Sequence, residues 1–283
     1  MDITGAVERF VAGRWIAGPE IQDSIKVAKR LNRAGLSVII NYLGEEIEDK
    51  AKIKKTIDVY KNLIEEMKTN RINGSISLKP SQIGSRINAA MLAENYSKIL
   101  DLAEKEGIFV WLDMEQPETV AKTIHLYLDA MPRTNAGICI QAYLRRSGKD
   151  ISSIANAGGA IRLVKGAYNP GIHGYSSRAD VERNYRSLMH DLFIKANRFM
   201  IATHDRRLIR EAIGLSKSYK KTIQYGMLNG IENKYAAELA KSGESVSLYL
   251  PFGTDWTEYS YRRLREGSHA LLLAASLFRN QSV

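Results

Sequence analysis

AIRLVKGAY, Ala160-Ile161-Arg162-Leu163-Val164-Lys165-Gly166-Ala167-Tyr168, is the stretch on which the fold turns. It is a short apolar, β-branched run, too short for a helix and without strict alternation, which suits a strand covered on both faces. Its arginine, and the lysine and glycine that close it, put charge where a buried strand tolerates it only if paired or bound to a ligand. Working outward, the same shape recurs at Leu36–Tyr42, Gly74–Pro80, Ile108–Met114, Gly137–Tyr143, Phe199–Asp205, Thr222–Leu228 and Ser245–Tyr249, which makes eight strands. Helical patterns lie between them, over Glu46–Asn70, Arg86–Glu106, Glu118–Asp129, a short piece near Ile151–Asn156, Arg178–Ala196, Arg207–Ser216 and Glu232–Lys241. Two more precede the first strand, Val7–Ala17 and Ile21–Ala34, broken at Gly18-Pro19. Strict alternation of strand and helix predicts an α/β fold, a (βα)8 TIM-like barrel with N-terminal helices. A doubly wound open sheet needs fewer strands, and no GxGxxG follows a strand. The expected division is an N-terminal helical segment over 1–34, a barrel over 35–266 and a C-terminal helical tail over 267–283.

The chain has 283 residues with 41 Lys and Arg against 31 Asp and Glu, a net charge of +10. That charge suits anionic ligands or an anionic membrane surface. The cations are dispersed, with no zinc-finger spacing and no basic-aromatic RNA motif, so no nucleic-acid partner is expected. The single cysteine, Cys139, excludes an internal disulfide and a cysteine-based metal site; within Gly137–Ile140 it reads as a buried structural thiol in a reducing compartment. His125, His173, His190, His204 and His269 show no ligand spacing, so no metal is expected. No stretch has the length of a membrane span, and the N-terminus, with Asp2 and Glu8, lacks a signal-peptide core; a cytoplasmic location is expected.

In a parallel barrel the C-terminal strand ends meet on one face. The polar residues there are Lys79, Asp113, Gln141, Arg162 with Lys165, Thr203 with His204, and Tyr249. Together they predict a lined pocket. Singly each has another reading: Lys79 snorkelling at the rim, Asp113 and Arg162 as a buried ion pair, His204 as a satisfied core histidine, Gly166-Ala167 as packing, and Asp205 as a helix cap. After the last strand, YLPFGTDWTEYSYRRLRE (249–266) turns at Pro251-Phe252-Gly253, and Thr254 or Asp255 can cap a helix. On that helix Tyr259, Arg262, Arg263 and Glu266 share one face, and Arg262 can pair with Glu266. Adjacent arginines braced in this way suit a carboxylate or phosphate; the alternative is a solvated face laced with ion pairs.

With these strings assembled, the chain resembles the proline dehydrogenases, flavin-dependent barrel enzymes that oxidise L-proline. The resemblance rests on SLKPS around Lys79, WLDME around Asp113, QAYLRRS from Gln141, IRLVKGAY from Ile161 to Tyr168, ATHD from Ala202, MLNGI from Met227 and the 249–266 string, in family order over about residues 36–266. It implies FAD as cofactor, L-proline as substrate, 1-pyrroline-5-carboxylate as product, the first step of proline catabolism to glutamate, and a quinone as electron acceptor. It implies that the last helix lies over the barrel mouth, with Arg262 and Arg263 gripping the proline carboxylate, Lys79 opposite and Glu266 bracing the arginines. Tyr249, Tyr259 and Leu228 would pack on the proline ring. Asp113 and Arg162 match the catalytic pair, Arg162 near the reactive flavin nitrogen. Met114, Gln141, Lys165, Gly166, Ala167, Thr203 and His204 match FAD-contacting positions. Gln224-Tyr225 and Asn229 depart from the family pattern, which leaves another cyclic amino acid such as hydroxyproline open as substrate. The chain resembles the short, monofunctional form. Its apolar tail from His269 to Phe278 is expected to pack on the barrel, or, with the basic surface, to touch an anionic membrane where quinone resides. Oligomeric state is left open.

Overall fold

A computed structural model describes residues 15–131, 133 and 135–256. Eight parallel strands close into a barrel in chain order: β1 (Ser37–Tyr42), β2 (Gly74–Leu78), β3 (Phe109–Leu112), β4 (Ala136–Gln141), β5 (Ala160–Val164), β6 (Phe199–Ala202), β7 (Gln224–Leu228) and β8 (Ser245–Phe252). Closure is made by β8 against β1, in register from Ser37 opposite Ser247 to Tyr42 opposite Phe252. Helix α1 (Ile21–Arg33) precedes the barrel. The crossovers carry α2 (Lys50–Thr69), α3 (Ala89–Lys105), α4 (Val120–Asp129), α5 (Ser147–Asn156), α6 (Arg178–Lys195), α7 (Arg206–Tyr219) and α8 (Asn233–Lys241).

The strands do alternate once the barrel supplies an inside. Residues such as Val38, Ile40, Ile76, Leu78, Ile138, Ile140, Ile161, Leu163, Val246 and Leu248 belong to the continuous core shared with the helices. The other parity turns inward. Its lower layer is Ile39, Trp111, Ala160 and Met200, a separate cluster. Ser77, Asp113, Arg162 and Tyr249 are hydrogen-bonded to one another above it. A sequence window sees two apolar-looking faces; the barrel separates a helix-packed face from one that rises into polar side chains.

Element boundaries differ from the sequence reading where side chains intercept the backbone. The first crossover helix begins at Lys50, not Glu46: Glu46 sits at φ 54°, its N–H donates to Ser81 Oγ, and Asp49 caps the helix by accepting from Ala51 and Lys52. The next begins at Ala89 rather than Arg86, because Asn88 accepts from the Met91 N–H at 2.8 Å. Helix α5 starts at Ser147, ahead of the expected Ile151, with the Ser147 hydroxyl donating to the Gln141 carbonyl. The turn expected at Pro251-Phe252-Gly253 comes later, since both Pro251 and Phe252 continue β8. Pro251 has no N–H to give, but its carbonyl accepts from Ala17 at 2.8 Å. Trp15–Ala17 is therefore not the end of a helix; it lies along β8, with Trp15 buried against Ile16, Leu43 and Ile231. Trp256 is helical, directly after Asp255.

Candidate active site

One cavity of about 220 Å3 opens at the C-terminal end of the barrel. Lys79, Asp113, Met114, Gln141, Arg162, Lys165, Gly166, Ala167, Thr203, His204, Leu228 and Tyr249 all line it, so the structure brings every described candidate residue to one place. Tyr259, Arg262, Arg263 and Glu266, and with them the helix expected over the mouth, lie outside the described residues, as does the tail over 267–283. Among the described residues no group of three or more His, Cys, Asp or Glu could hold a metal ion.

Asp113, at the end of β3, is the node. Its Oδ1 accepts from Ser77 Oγ at 2.7 Å, from Cys139 Sγ at 3.6 Å and from Arg162 Nη2, and its Oδ2 accepts from the Tyr249 hydroxyl at 2.8 Å. Arg162 is 3% exposed and flanked by the rings of Trp111 and Tyr249, with the guanidinium carbon 5.2 and 5.5 Å from their centroids. Burial alone would lower its pKa, but Cys139, Asp113 and Tyr249 outweigh that and raise it. The pair is thus a desolvated ion pair whose partners are hydrogen-bonded on both sides, the condition under which such a pair is tolerated.

Lys79 follows β2 and is held by a salt bridge to Glu45, both side chains being under 10% exposed. Glu45 itself lines the cavity from the loop after β1. Near them Glu115, buried, accepts from the Ser81 N–H at 2.8 Å and from the Ser81 hydroxyl. Burial raises its pKa, with Lys79 and the Ser81 bonds opposing.

On the β4–β6 side, Gln141 donates through Nε2 to the carbonyls of Met114 and Glu115 at 3.2 and 3.1 Å. Its Oε1, and Nη1 of Arg162, have no partner among the described residues. Buried polar atoms without partners are uncommon, and these two belong to side chains that line the cavity. Gly166 has φ +114°, and a Cβ there would fall 1.6 Å from the Tyr143 ring, so only glycine lets Lys165–Ala167 run against that ring along the cavity. His204 Nε2 accepts the Leu228 N–H at 3.0 Å, and Thr203 Oγ1 accepts the Asp205 N–H at 3.1 Å. Asp205 takes the cap: its carboxylate accepts from the Arg207 N–H at the start of α7.

Glu45 and Cys139, which line the cavity, and Ser77, which bonds Asp113 and Arg162 from behind it, were not among the candidate site residues read from the sequence. Cys139 is buried as expected, but it touches both members of the ion pair instead of serving only as packing.

The family model described as proline dehydrogenase matches residues 24–271. This chain belongs to the proline dehydrogenase family. Proline dehydrogenase 2 of Bacillus subtilis (strain 168) is 32% identical over 263 residues, 91% of this chain and 87% of that protein. The proline dehydrogenase of Deinococcus radiodurans is 32% identical over 266 residues, 90% of this chain and 86% of that protein. Among solved structures, proline utilization A (PutA) from Bdellovibrio bacteriovorus, inactivated by N-propargylglycine, superposes with a TM-score of 0.85 at 21% identity, covering 98% of this chain. The chain spans 34% of that PutA, and the likeness is one of fold.

Gln224, Tyr225 and Asn229, the residues that the sequence reading set against the family pattern, do not line the cavity. Gln224 is exposed at the start of β7, the end away from the mouth. Asn229 is buried, with its amide on the Trp15 carbonyl at 3.4 Å and on Asn233.

Proposed function

We propose that this protein is an FAD-dependent proline dehydrogenase that oxidises L-proline to 1-pyrroline-5-carboxylate, the first step of proline catabolism to glutamate. The observation that carries the reading is the Asp113–Arg162–Tyr249 constellation, which lines one cavity with Lys79 at the mouth of a barrel of this family. Proline is a small zwitterion. Its carboxylate needs cations, and its ring needs an apolar and aromatic wall. Lys79, with Arg262 and Arg263 braced by Glu266, supplies the first; Leu228, Tyr249 and Tyr259 supply the second. Asp113 holds Arg162 and the Tyr249 hydroxyl in fixed directions, so substrate meets donors already oriented.

The unpartnered Gln141 Oε1 and Arg162 Nη1, and the side-chain-free backbone at Gly166, fit a planar heterocycle with both acceptors and donors at its edge. Met114, Gln141, Lys165, Gly166, Ala167, Thr203 and His204 would hold FAD there. FAD held there would supply a hydride acceptor for the ring carbon beside the proline nitrogen and a route for the electrons to a quinone. The protein's part is to orient the ring and to exclude water. Desolvation by Tyr249 and Tyr259 disfavours the ammonium form of proline and assists loss of its proton. Proline binding therefore weakens as pH falls below neutrality; affinity that stays constant over that range would sink this step.

Anaerobic addition of L-proline to the purified, FAD-loaded protein is the direct test. Bleaching of the flavin band supports the reading. Bleaching by hydroxyproline or another cyclic amino acid, and not by proline, changes the substrate. No flavin binding overturns the enzyme reading.

The reading extends to a cytoplasmic enzyme that touches the inner face of a membrane through its basic surface. Among the described residues no helix is long and apolar enough to cross one. Sedimentation with anionic, but not neutral, liposomes, lost at high salt, is expected; equal sedimentation with both removes the electrostatic contact.

A further inference from the structure

Arg162 has five N–H groups in a fixed planar fork. Their partners can be accounted for one nitrogen at a time. Nη2 donates to Asp113 Oδ1 and to Ser77 Oγ, the latter at 3.1 Å. Nε donates to Cys139 Sγ at 2.8 Å. Nη1 is left, buried, with no partner among the described residues. Cys139 stands directly beside Arg162 in the β4–β5 register, on the inward parity of its strand. Its sulfur also lies 3.6 Å from Asp113 Oδ1, and burial pushes its thiol up to about 12. It therefore carries a proton to donate to the carboxylate while its lone pair accepts the guanidinium N–H.

We propose that Cys139 is a positioning residue: by accepting Nε–H of Arg162, beside the Asp113 and Ser77 contacts at Nη2, it fixes the direction in which the guanidinium lines the cavity. The carboxylate alone does not fix this. Asp113 Oδ1 and Ser77 Oγ hold Nη2 at one end of the guanidinium edge, and the Trp111 and Tyr249 rings flank its plane. Cys139 pins the same edge at its second nitrogen, Nε. The proposal rests on the flavoenzyme reading for its consequence in catalysis, but not for its geometry.

The test compares three holoenzyme variants. Cys139→Ser keeps an acceptor and a donor; Cys139→Val keeps bulk without either; Cys139→Ala, smaller, serves if Val does not fold. With Ser, the rate of flavin reduction at saturating proline stays near wild type. With Val or Ala it falls about ten- to a hundredfold, the value of a hydrogen bond to a charged group, with the thermal midpoint changing no more than for Ser. In parallel, the Arg162 Nε–H resonance of 15N-arginine-labelled protein, assigned through Arg162→Lys, is protected from solvent exchange in wild type and Ser and loses protection in Val and Ala. A Val variant as active and as protected as wild type, or a Ser variant as impaired as Val, overturns the proposal and leaves Cys139 as packing. If wild-type protein does not reduce flavin with proline, the function reading fails, and the exchange measurement still decides the position of Arg162.

Discussion

At Asp113 four donors converge on one carboxylate, from Ser77, Cys139, Arg162 and Tyr249. Asp113→Ala removes the counter-charge and strands a guanidinium in a dry site, which costs about 3–5 kcal/mol. The expected readout is a lower urea midpoint with an unchanged slope. Glu115 gives a pH signature. Because its folded pKa is raised, the native state holds a proton that the unfolded chain has already released, so stability falls as pH rises from the ordinary carboxylate range through the raised value. Thermal midpoints of wild type should drop from about pH 5 upward relative to Glu115→Gln, which can still accept from the Ser81 N–H and donate to its hydroxyl. Parallel profiles for the two proteins would rule this out. Lys79, Asp113, Gln141, Arg162, Thr203, His204 and Tyr249 were legible because charge or polarity at the end of an apolar run is conspicuous. Ser77 and Cys139 were not, since small residues inside such a run look like packing. The signal was strand parity: each lies two positions before a residue that was noticed, Lys79 and Gln141. Glu45 hid in a Gly-Glu-Glu loop that resembles the start of a charged helix.

The elements themselves were legible in kind and order, because alternation of apolar runs and amphipathic stretches is set by burial, which dominates at that length scale. Their ends were not, because ends are decided by single hydrogen bonds. The loop between β1 and α2 stays open because the Ser81 hydroxyl and carbonyl accept from Glu46 and Ile47. That same capture places Glu45 over Lys79. For α3 the deciding contact is Asn88, and Asn88→Ala should cost about 1 kcal/mol, read as a lower thermal midpoint, while Asn88→Asp or Asn88→Ser retains most of the stability. Loss of flavin affinity in Asn88→Ala would show that this end is coupled to the site, contrary to expectation.

For the molecule as a whole, the seam between first and last strands is tied down by residues that precede the barrel. Ala17 bonds Pro251, Gly253 bonds Gly18, and the Asn229 amide reaches the Trp15 carbonyl. Trp15→Ala empties a buried site along this seam and should destabilise by about 3–5 kcal/mol, measured by denaturant unfolding. A change under about 1 kcal/mol, within the range of surface substitutions, would mean that the seam holds without it. The closing strand has a further consequence. The Tyr249–Asp113 bond joins residues 136 positions apart, and the β8–β1 pairing joins the two ends of the barrel. On the ribosome, strands one to seven can emerge and pair in succession while both outer edges stay open, so the growing chain carries two unpaired templates for aggregation until its eighth strand arrives. The tyrosine that completes the acid's shell rides on that same strand. The sheet acquires its protected surface and its finished chemistry in one late step, and a chain interrupted before Ser245 would be sticky and inert together.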